Sequence, residues 1–400
     1  MISRPLYLEK LKRLKDKHLI KVVTGIRRCG KSTILELFRS VLMKEGVAAS
    51  SIISINLEEG DFQEIADWKA LYKLVESKLV QGKKNYVFLD EVQRIGDFEK
   101  AVDSLYVKKN VDLYITGSNA HLLSGELATL LSGRYVEIAM LPFSFQEYMT
   151  AVGERTSVEK AYSAYLQQGA FPYLVTEIGS DAATARDYLS GLYNTVLLKD
   201  VVQRTGAKDV SVLENIVRFM FDNIGNLTSI QGISNTLTSS GRKTTAPTVD
   251  GYVRALCDAF ILYRANRYDV KGKEYLKTGA KFYMVDLCLR PFLLGNKPGD
   301  TGHILENVIY LELLRRGHHV FVGKVGTAEI DFVTIDGSEM AYYQVAASVR
   351  DEKTLKRELA PLEAIPDNHP KYLLTLDNDP PANYAGIRQL NALDFLLERA

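Results

Sequence analysis

A strand, a glycine-bounded loop and a helix in unbroken succession near the amino terminus constrain this chain more than any other feature. Leu19-Ile20-Lys21-Val22-Val23-Thr24 is apolar and rich in β-branched residues, which predicts a short buried strand. Gly25-Ile26-Arg27-Arg28-Cys29-Gly30-Lys31-Ser32 follows directly and matches GxxxxGK[ST]. From Thr33 onward, Ile34, Leu35, Leu37, Phe38, Val41 and Leu42 fall on one side of a helix. That order predicts an α/β fold of the P-loop type, a parallel sheet with helices on both faces. The two glycines let the backbone curl so that successive N–H groups point inward at phosphates. The run from Gly25 to Thr33 is therefore expected to hold ATP, with Lys31 reaching the β- and γ-phosphates. Ser32 would bind Mg²⁺, and the helix N-terminus adds its dipole.

A P-loop needs a second, acidic strand, and Tyr86-Val87-Phe88-Leu89-Asp90-Glu91 supplies one. Asp90 at its carboxyl end would hold Mg²⁺ directly or through water, and Glu91 would orient and deprotonate the attacking water. A third strand, Val111–Thr116, ends in Gly117-Ser118-Asn119. Ligands sit at the carboxyl ends of strands in an open parallel sheet, so Asn119, or Ser118 in its place, is a candidate to hold that water. A helix cap for His121–Leu131 is the plainer reading of the same residues. Ser132-Gly133-Arg134 precedes a further strand, Tyr135–Met140. Arg134 is either a surface arginine or a group that reaches a neighbouring subunit's γ-phosphate in a homo-oligomer. Cys29 fills a variable loop position and reads as incidental rather than as a redox switch.

At 400 residues the chain is too long for one small domain. Its net charge of +1 announces no polyanion partner. The sum hides a skew, because residues 1–46 hold twelve Lys/Arg against four Asp/Glu. That cluster is either a solvated helix face over Leu8–Lys17 or a surface for nucleotide phosphate or nucleic acid. No run approaches the ~18 apolar residues of a spanning helix, and the first residues lack the apolar segment of a secretory signal. Three scattered cysteines exclude a disulfide scaffold or a cysteine zinc site. The expectation is a cytoplasmic protein with no membrane partner.

Gly25–Ser32, Leu89-Asp90-Glu91, Thr116-Gly117-Ser118-Asn119, Leu131-Ser132-Gly133-Arg134 and Leu141-Pro142-Phe143-Ser144-Phe145-Gln146-Glu147-Tyr148 together resemble a prokaryotic AAA+ ATPase of the branch related to the archaeal ATPases. The resemblance covers residues 1–150 and implies an ATP-hydrolysing core with strand order 5-1-4-3-2. It also implies an adenine pocket partly built by Arg4-Pro5-Leu6-Tyr7-Leu8, with Tyr7 as a binding residue.

Beyond Tyr148 the pattern changes. Helical spacing over Val158–Gln168 and Ala182–Leu198 predicts a helical lid and connector within 151–205. Residues 206–284 have the layout of a winged helix: helices at Val212–Phe221, Ser229–Leu237 and Pro247–Ala259, then strands Phe260–Arg267 and Glu274–Met284 around a lysine-bearing tip. Between 242 and 277 lie eight basic and four acidic residues, which permits DNA contact, although such modules also dock proteins. Residues 285–400 resemble a small α/β nuclease-like domain of the PD-(D/E)XK type over roughly 285–378, with a C-terminal tail. In an active member, Glu306, Asp331 and an acid two residues before a lysine would gather Mg²⁺ and water. Here that pair is Gln344 and Ala346, so the region reads as an inactive fold kept for binding, with Lys353 or Lys356 as the alternative source of a base. Three functions stand open: an ATPase whose cycle moves its C-terminal modules in association with DNA, an ATP-gated switch that docks a partner protein without nucleic acid, and an ATP-regulated nuclease.

Overall fold

The computed structural model describes residues 2–62, 65–118, 131, 133–153, 156–195, 201–205, 210–295 and 300–399. The chain forms two compact units, Met1–Pro142 with Asp258–Phe260 and Phe143–Cys257 with Ile261–Ala400. No described helix is long and apolar enough to cross a membrane.

The first unit contains α1 (Pro5–Leu14), β1 (Ile20–Thr24), α2 (Lys31–Lys44), β2 (Ile52–Asn56), α3 (Trp68–Lys78), β3 (Asn85–Asp90), α4 (Phe98–Tyr106), β4 (Val111–Gly117) and β5 (Tyr135–Ala139). Its five strands make one parallel sheet in the order β2-β3-β4-β1-β5, the order that the resemblance implies. β1, β3 and β4 are buried at every residue, as central strands with both faces covered must be. β2 lies at the edge and alternates, with Ile53 and Ile55 buried and Ser54 exposed. α2 buries Ile34, Leu35, Phe38 and Leu42 at helical spacing, each contributing about 1.5–3 kcal/mol of transfer free energy.

This packing also disposes of part of the basic amino-terminal cluster. Lys21 is fully buried, with its ammonium on Asp112 and on the Lys17 carbonyl at 2.7 Å. Arg4 is buried too, donating to the carbonyls of Cys29 (2.9 Å), Leu141 (2.9 Å) and Pro142 (3.1 Å). Lys12 pairs with Glu9 at 2.7 Å and Lys15 with Glu45 at 2.6 Å. The sequence skew is therefore larger than any basic surface it leaves.

The second unit opens with α5 (Phe145–Val152), started by a capping box in which Ser144 and Glu147 each accept the other's backbone N–H at 2.9 Å. Next come α6 (Val158–Gln168), α7 (Ala182–Leu192), α8 (Val201–Thr205), α9 (Val210–Asp222), α10 (Ile230–Ser239) and α11 (Ala246–Asp258). β6 (Leu262–Asp269) and β7 (Glu274–Met284) form an antiparallel hairpin. The chain continues through α12 (Leu289–Leu294), α13 (Thr301–Arg315), β8 (Val320–Val325), β9 (Ala328–Asp336), β10 (Glu339–Ala346), α14 (Glu352–Glu363), β11 (Lys371–Thr375), β12 (Ala382–Tyr384), β13 (Ile387–Asn391) and α15 (Ala392–Leu396). Eight strands make one mixed sheet in the order β12-β13-β11-β10-β9-β8-β6-β7. β6 pairs in parallel with β8 at Arg267↔Val322, so the β6–β7 hairpin, expected to be separate from residues 285–400, forms one edge of the same sheet as β8 to β13. That sheet continues past residue 378 through β12 and β13.

Candidate nucleotide site

The loop after β1 can close only with glycine at its first position. Gly25 has φ +144°, and a Cβ there would lie 2.2 Å from the Met140 carbonyl oxygen, where the chain leaves β5. Gly30, at φ +98°, turns the chain into α2. Lys31 is thereby folded back under the loop at 4% exposure. Its ammonium donates to the carbonyls of Gly25 at 3.1 Å and Ile26 at 3.3 Å and lies 3.5 Å from Glu91 Oε1. Ser32 and Thr33 occupy the first turn of α2, where backbone N–H groups lack helical partners. Arg28 is exposed and Arg27 half-buried, while Ile26 and Cys29 are buried beneath the loop. Burial pushes the Cys29 thiol up, which disfavours the thiolate.

Asp90 ends β3 and Glu91 follows it at φ +53°, a left-handed conformation uncommon outside glycine. Thr116, on the neighbouring strand β4, ties the two acids together. Its hydroxyl donates to Asp90 Oδ1 and accepts the Glu91 N–H at 2.9 Å. Burial pushes the Asp90 pKa up, against the opposing pull of the nearby Ser32 and Thr116 hydroxyls. Ser32 and Asp90 thus converge as an oxygen-only pair beside a helix N-terminus, a donor set that suits Mg²⁺.

The Glu91 carboxylate is held by Oε2, which accepts from Ser118 Oγ at 2.7 Å and Gln93 Nε2 at 2.5 Å. Burial works to raise its pKa, but the Lys31 ammonium and these two hydrogen bonds prevail and hold it below the ordinary carboxylate value. Oε1 is left facing Lys31. Ser118 is the residue of the Ser118–Asn119 pair that reaches Glu91; Asn119 lies outside the described residues.

Two expected residues stand elsewhere. Tyr7 is buried at 2% exposure, with its hydroxyl accepting the Leu141 N–H at 3.1 Å and the Arg4 guanidinium 4.7 Å over its ring. It supports the loop from the side of β5 rather than presenting an open ring face. Arg134 immediately precedes β5, where Tyr135 pairs with Ile20 at the start of β1. The strands are parallel and Arg134 is level with Leu19, so it lies toward the opposite end of the strands from Gly25, six residues or about 20 Å away at ~3.3 Å per residue. There it pairs with Asp103 at 2.5 Å and lies over the Tyr106 ring. Thr116 and Gln93 were not identifiable as site residues in the sequence. Thr116 is the last residue before the Gly117 that ends β4, and Gln93 follows Glu91 by two positions, but neither spacing names a partner.

Comparison with known proteins agrees with the P-loop ATPase fold. The AAA domain family matches residues 17–149, and a domain of unknown function (DUF8612) matches residues 159–300. An uncharacterized protein of Haemophilus influenzae is 40% identical over 100% of this chain and 99% of its own length. An uncharacterized protein of Methanocaldococcus jannaschii is 30% identical over 90% of this chain and 80% of its own. Among solved structures, a Walker-type ATPase of Pyrococcus abyssi superposes with a TM-score of 0.50 at 16% identity, covering 73% of this chain and 96% of that one.

Proposed function

The chain belongs to one family with the Haemophilus and Methanocaldococcus relatives and carries an AAA domain over residues 17–149, and from that premise we propose a residue-level hydrolytic site and a use for its cycle. The observation that carries the proposal is the convergence of Lys31, Ser32, Asp90, Glu91, Thr116 and Ser118 at the carboxyl ends of β1, β3 and β4.

In this reading Lys31 exchanges the carbonyls of Gly25 and Ile26 for the β- and γ-phosphate oxygens of ATP. The backbone from Gly25 to Thr33 lines the phosphates. Ser32 and Asp90 would hold Mg²⁺, which supplies charge neutralisation on the transferred phosphoryl group. Departure of Lys31 toward phosphate frees Glu91 Oε1. Ser118 and Gln93 keep Oε2 fixed, so the free oxygen is aimed and takes the proton of the attacking water. Thr116 locks the backbone of Glu91 to the carboxylate of Asp90, so that acid and base move as one. Arg134, too far from its own loop, would serve a neighbouring subunit.

The cycle then acts on the segments that follow: a helical lid within 151–205, a winged-helix-like module at 206–284 and a nuclease-like region at 285–400 that binds rather than cuts. Support for DNA as the partner comes from α9, α10 and α11 followed by the β6–β7 hairpin, to which Thr228 adds a single antiparallel bridge by exchanging backbone hydrogen bonds with Ala280 at 2.9 and 3.0 Å. Arg242, Lys243, Lys271 and Lys273 are exposed on that module. Filter binding of the full chain to DNA with ATP at low and high salt is the test. Retention that falls steeply with salt, together with DNA-stimulated ATPase, is the expected result. No retention at low salt would replace this reading with the protein-docking switch.

A further inference from the structure

The C-terminal sheet carries a second buried charge centre, and its chemistry differs from what the nuclease resemblance implies. Glu306 on α13 and Asp331 on β9 do come together. Lys353 and Lys356 do not join them; both are exposed on α14, and Lys356 pairs with Glu352 at 2.7 Å. The ammonium at the centre belongs instead to Lys281 on β7, which is 3% exposed. Its Nζ lies 2.8 Å from Glu306 Oε1, 2.8 Å from Glu329 Oε1 and 3.5 Å from Asp331 Oδ1.

The remaining oxygens of the two buried acids are also engaged. Glu306 Oε1 accepts the Tyr283 hydroxyl at 2.5 Å, and Oε2 faces His303 Nδ1 at 3.4 Å. Asp331 Oδ2 accepts the Val345 N–H at 2.9 Å. Gln344, at the position where an acid would stand, accepts the Asp331 N–H at 3.4 Å and donates to Glu358 Oε2 at 2.8 Å. Its amide therefore links the Asp331 backbone to the Glu358 carboxylate and adds no negative charge.

A divalent ion needs open carboxylate lone pairs at about 2.0–2.6 Å. Between Glu306 and Asp331 that space is taken by an ammonium, whose positive charge would repel the ion at contact range in a low-dielectric interior. Burying a lone ammonium is costly, and three surrounding carboxylates offset that cost. The residues implied for Mg²⁺ by the nuclease resemblance thus do not fit a metal in this chain. We infer that Lys281 is a built-in cation that fills the centre formed by Glu306, Glu329 and Asp331, closing it to divalent ions, and that removing the ammonium opens a divalent-cation site there. The arrangement makes this end of the molecule a charge-sealed scaffold and leaves nuclease chemistry without its metal.

Mn²⁺ titration of the nucleotide-free full chain, read by the free-ion electron paramagnetic resonance signal, tests this. Wild-type protein should show no bound Mn²⁺ that Asp331→Asn removes. Lys281→Met and Lys281→Gln should each gain one Mn²⁺, at least tenfold tighter than any wild-type binding, and lose it when combined with Asp331→Asn. If either variant unfolds, Mn²⁺ should restore its melting transition. An Asp331-dependent Mn²⁺ site in wild type would overturn the inference. So would folded Lys281 variants that bind none, or unfolded ones that saturating Mn²⁺ fails to restore.

Discussion

Thr116→Val removes one hydroxyl and almost no volume, so it isolates the bridge between Asp90 and Glu91. Two hydrogen bonds are lost, one to a carboxylate and one from a backbone N–H. Thr116 is fully buried, so the Glu91 N–H is left without its acceptor in a site with little access to water. A charge-assisted bond contributes roughly 1.5–3 kcal/mol and a neutral one roughly 0.5–1.5, which places the loss at about 2–4 kcal/mol. For a domain of this size that corresponds to a fall of about 5–15 °C in melting temperature. Stability alone would not identify a positioning role. The left-handed backbone at Glu91 is held by that bond, so its release should also misplace the carboxylate. We expect phosphate-release assays to show turnover lower by about 10–100-fold, while the Kd for a fluorescent ATP analogue stays within about threefold. Thr116→Ser, which keeps the hydroxyl, should recover most of the turnover. Unchanged turnover in a folded Thr116→Val protein, or equal losses with Ser and Val, would refute the bridge.

Gly25→Ala should abolish tight ATP-analogue binding by forcing the loop away from Met140, and native-like affinity in a folded Gly25→Ala protein would contradict the close approach. If Arg134 serves a neighbouring subunit, Arg134→Ala should lower activity, and wild-type specific activity should rise with protein concentration. A concentration-independent rate from a monomer would exclude that role. His303 is predicted to respond to pH. Its hydrogen bond to Glu306 raises the folded pKa, so the stabilisation is complete below the unfolded value near 6.5 and is lost as pH rises through the folded value. His303→Gln should therefore lower the melting temperature more at about pH 6 than at about pH 8.5, and a pH-independent gap would argue against the contact.

What the sequence made legible was local. The P-loop is a contiguous motif, and β3 and β4 are short runs dominated by strand-forming residues because they are buried on both faces. β2 escaped detection because an edge strand of five residues is only half-buried and carries no chemistry. Thr116 is silent until β3 and β4 pair, since its partners lie 25 and 26 residues away. Lys281 is the extreme case. Its three carboxylates come from α13 and β9, and only the mixed sheet brings β7 beside them. The same long-range pairing, Arg267 with Val322, draws the expected wing hairpin into the C-terminal sheet, and no periodicity in either strand announces it. Tyr7 is expected at the site only because the resemblance implies an adenine pocket built partly by Arg4–Leu8; the structure adds that its ring is buried.

In the proposed mechanism Glu91, held through Oε2 and freed from Lys31 at Oε1, is the base of an ATP-hydrolysing site. Glu91→Gln keeps the side-chain shape and removes the proton acceptor, so the decisive measurement is ATP turnover and ATP-analogue affinity on the same preparation. Turnover should fall by about 100-fold or more while affinity stays within about threefold of wild type. An unchanged turnover rate in Glu91→Gln would contradict it.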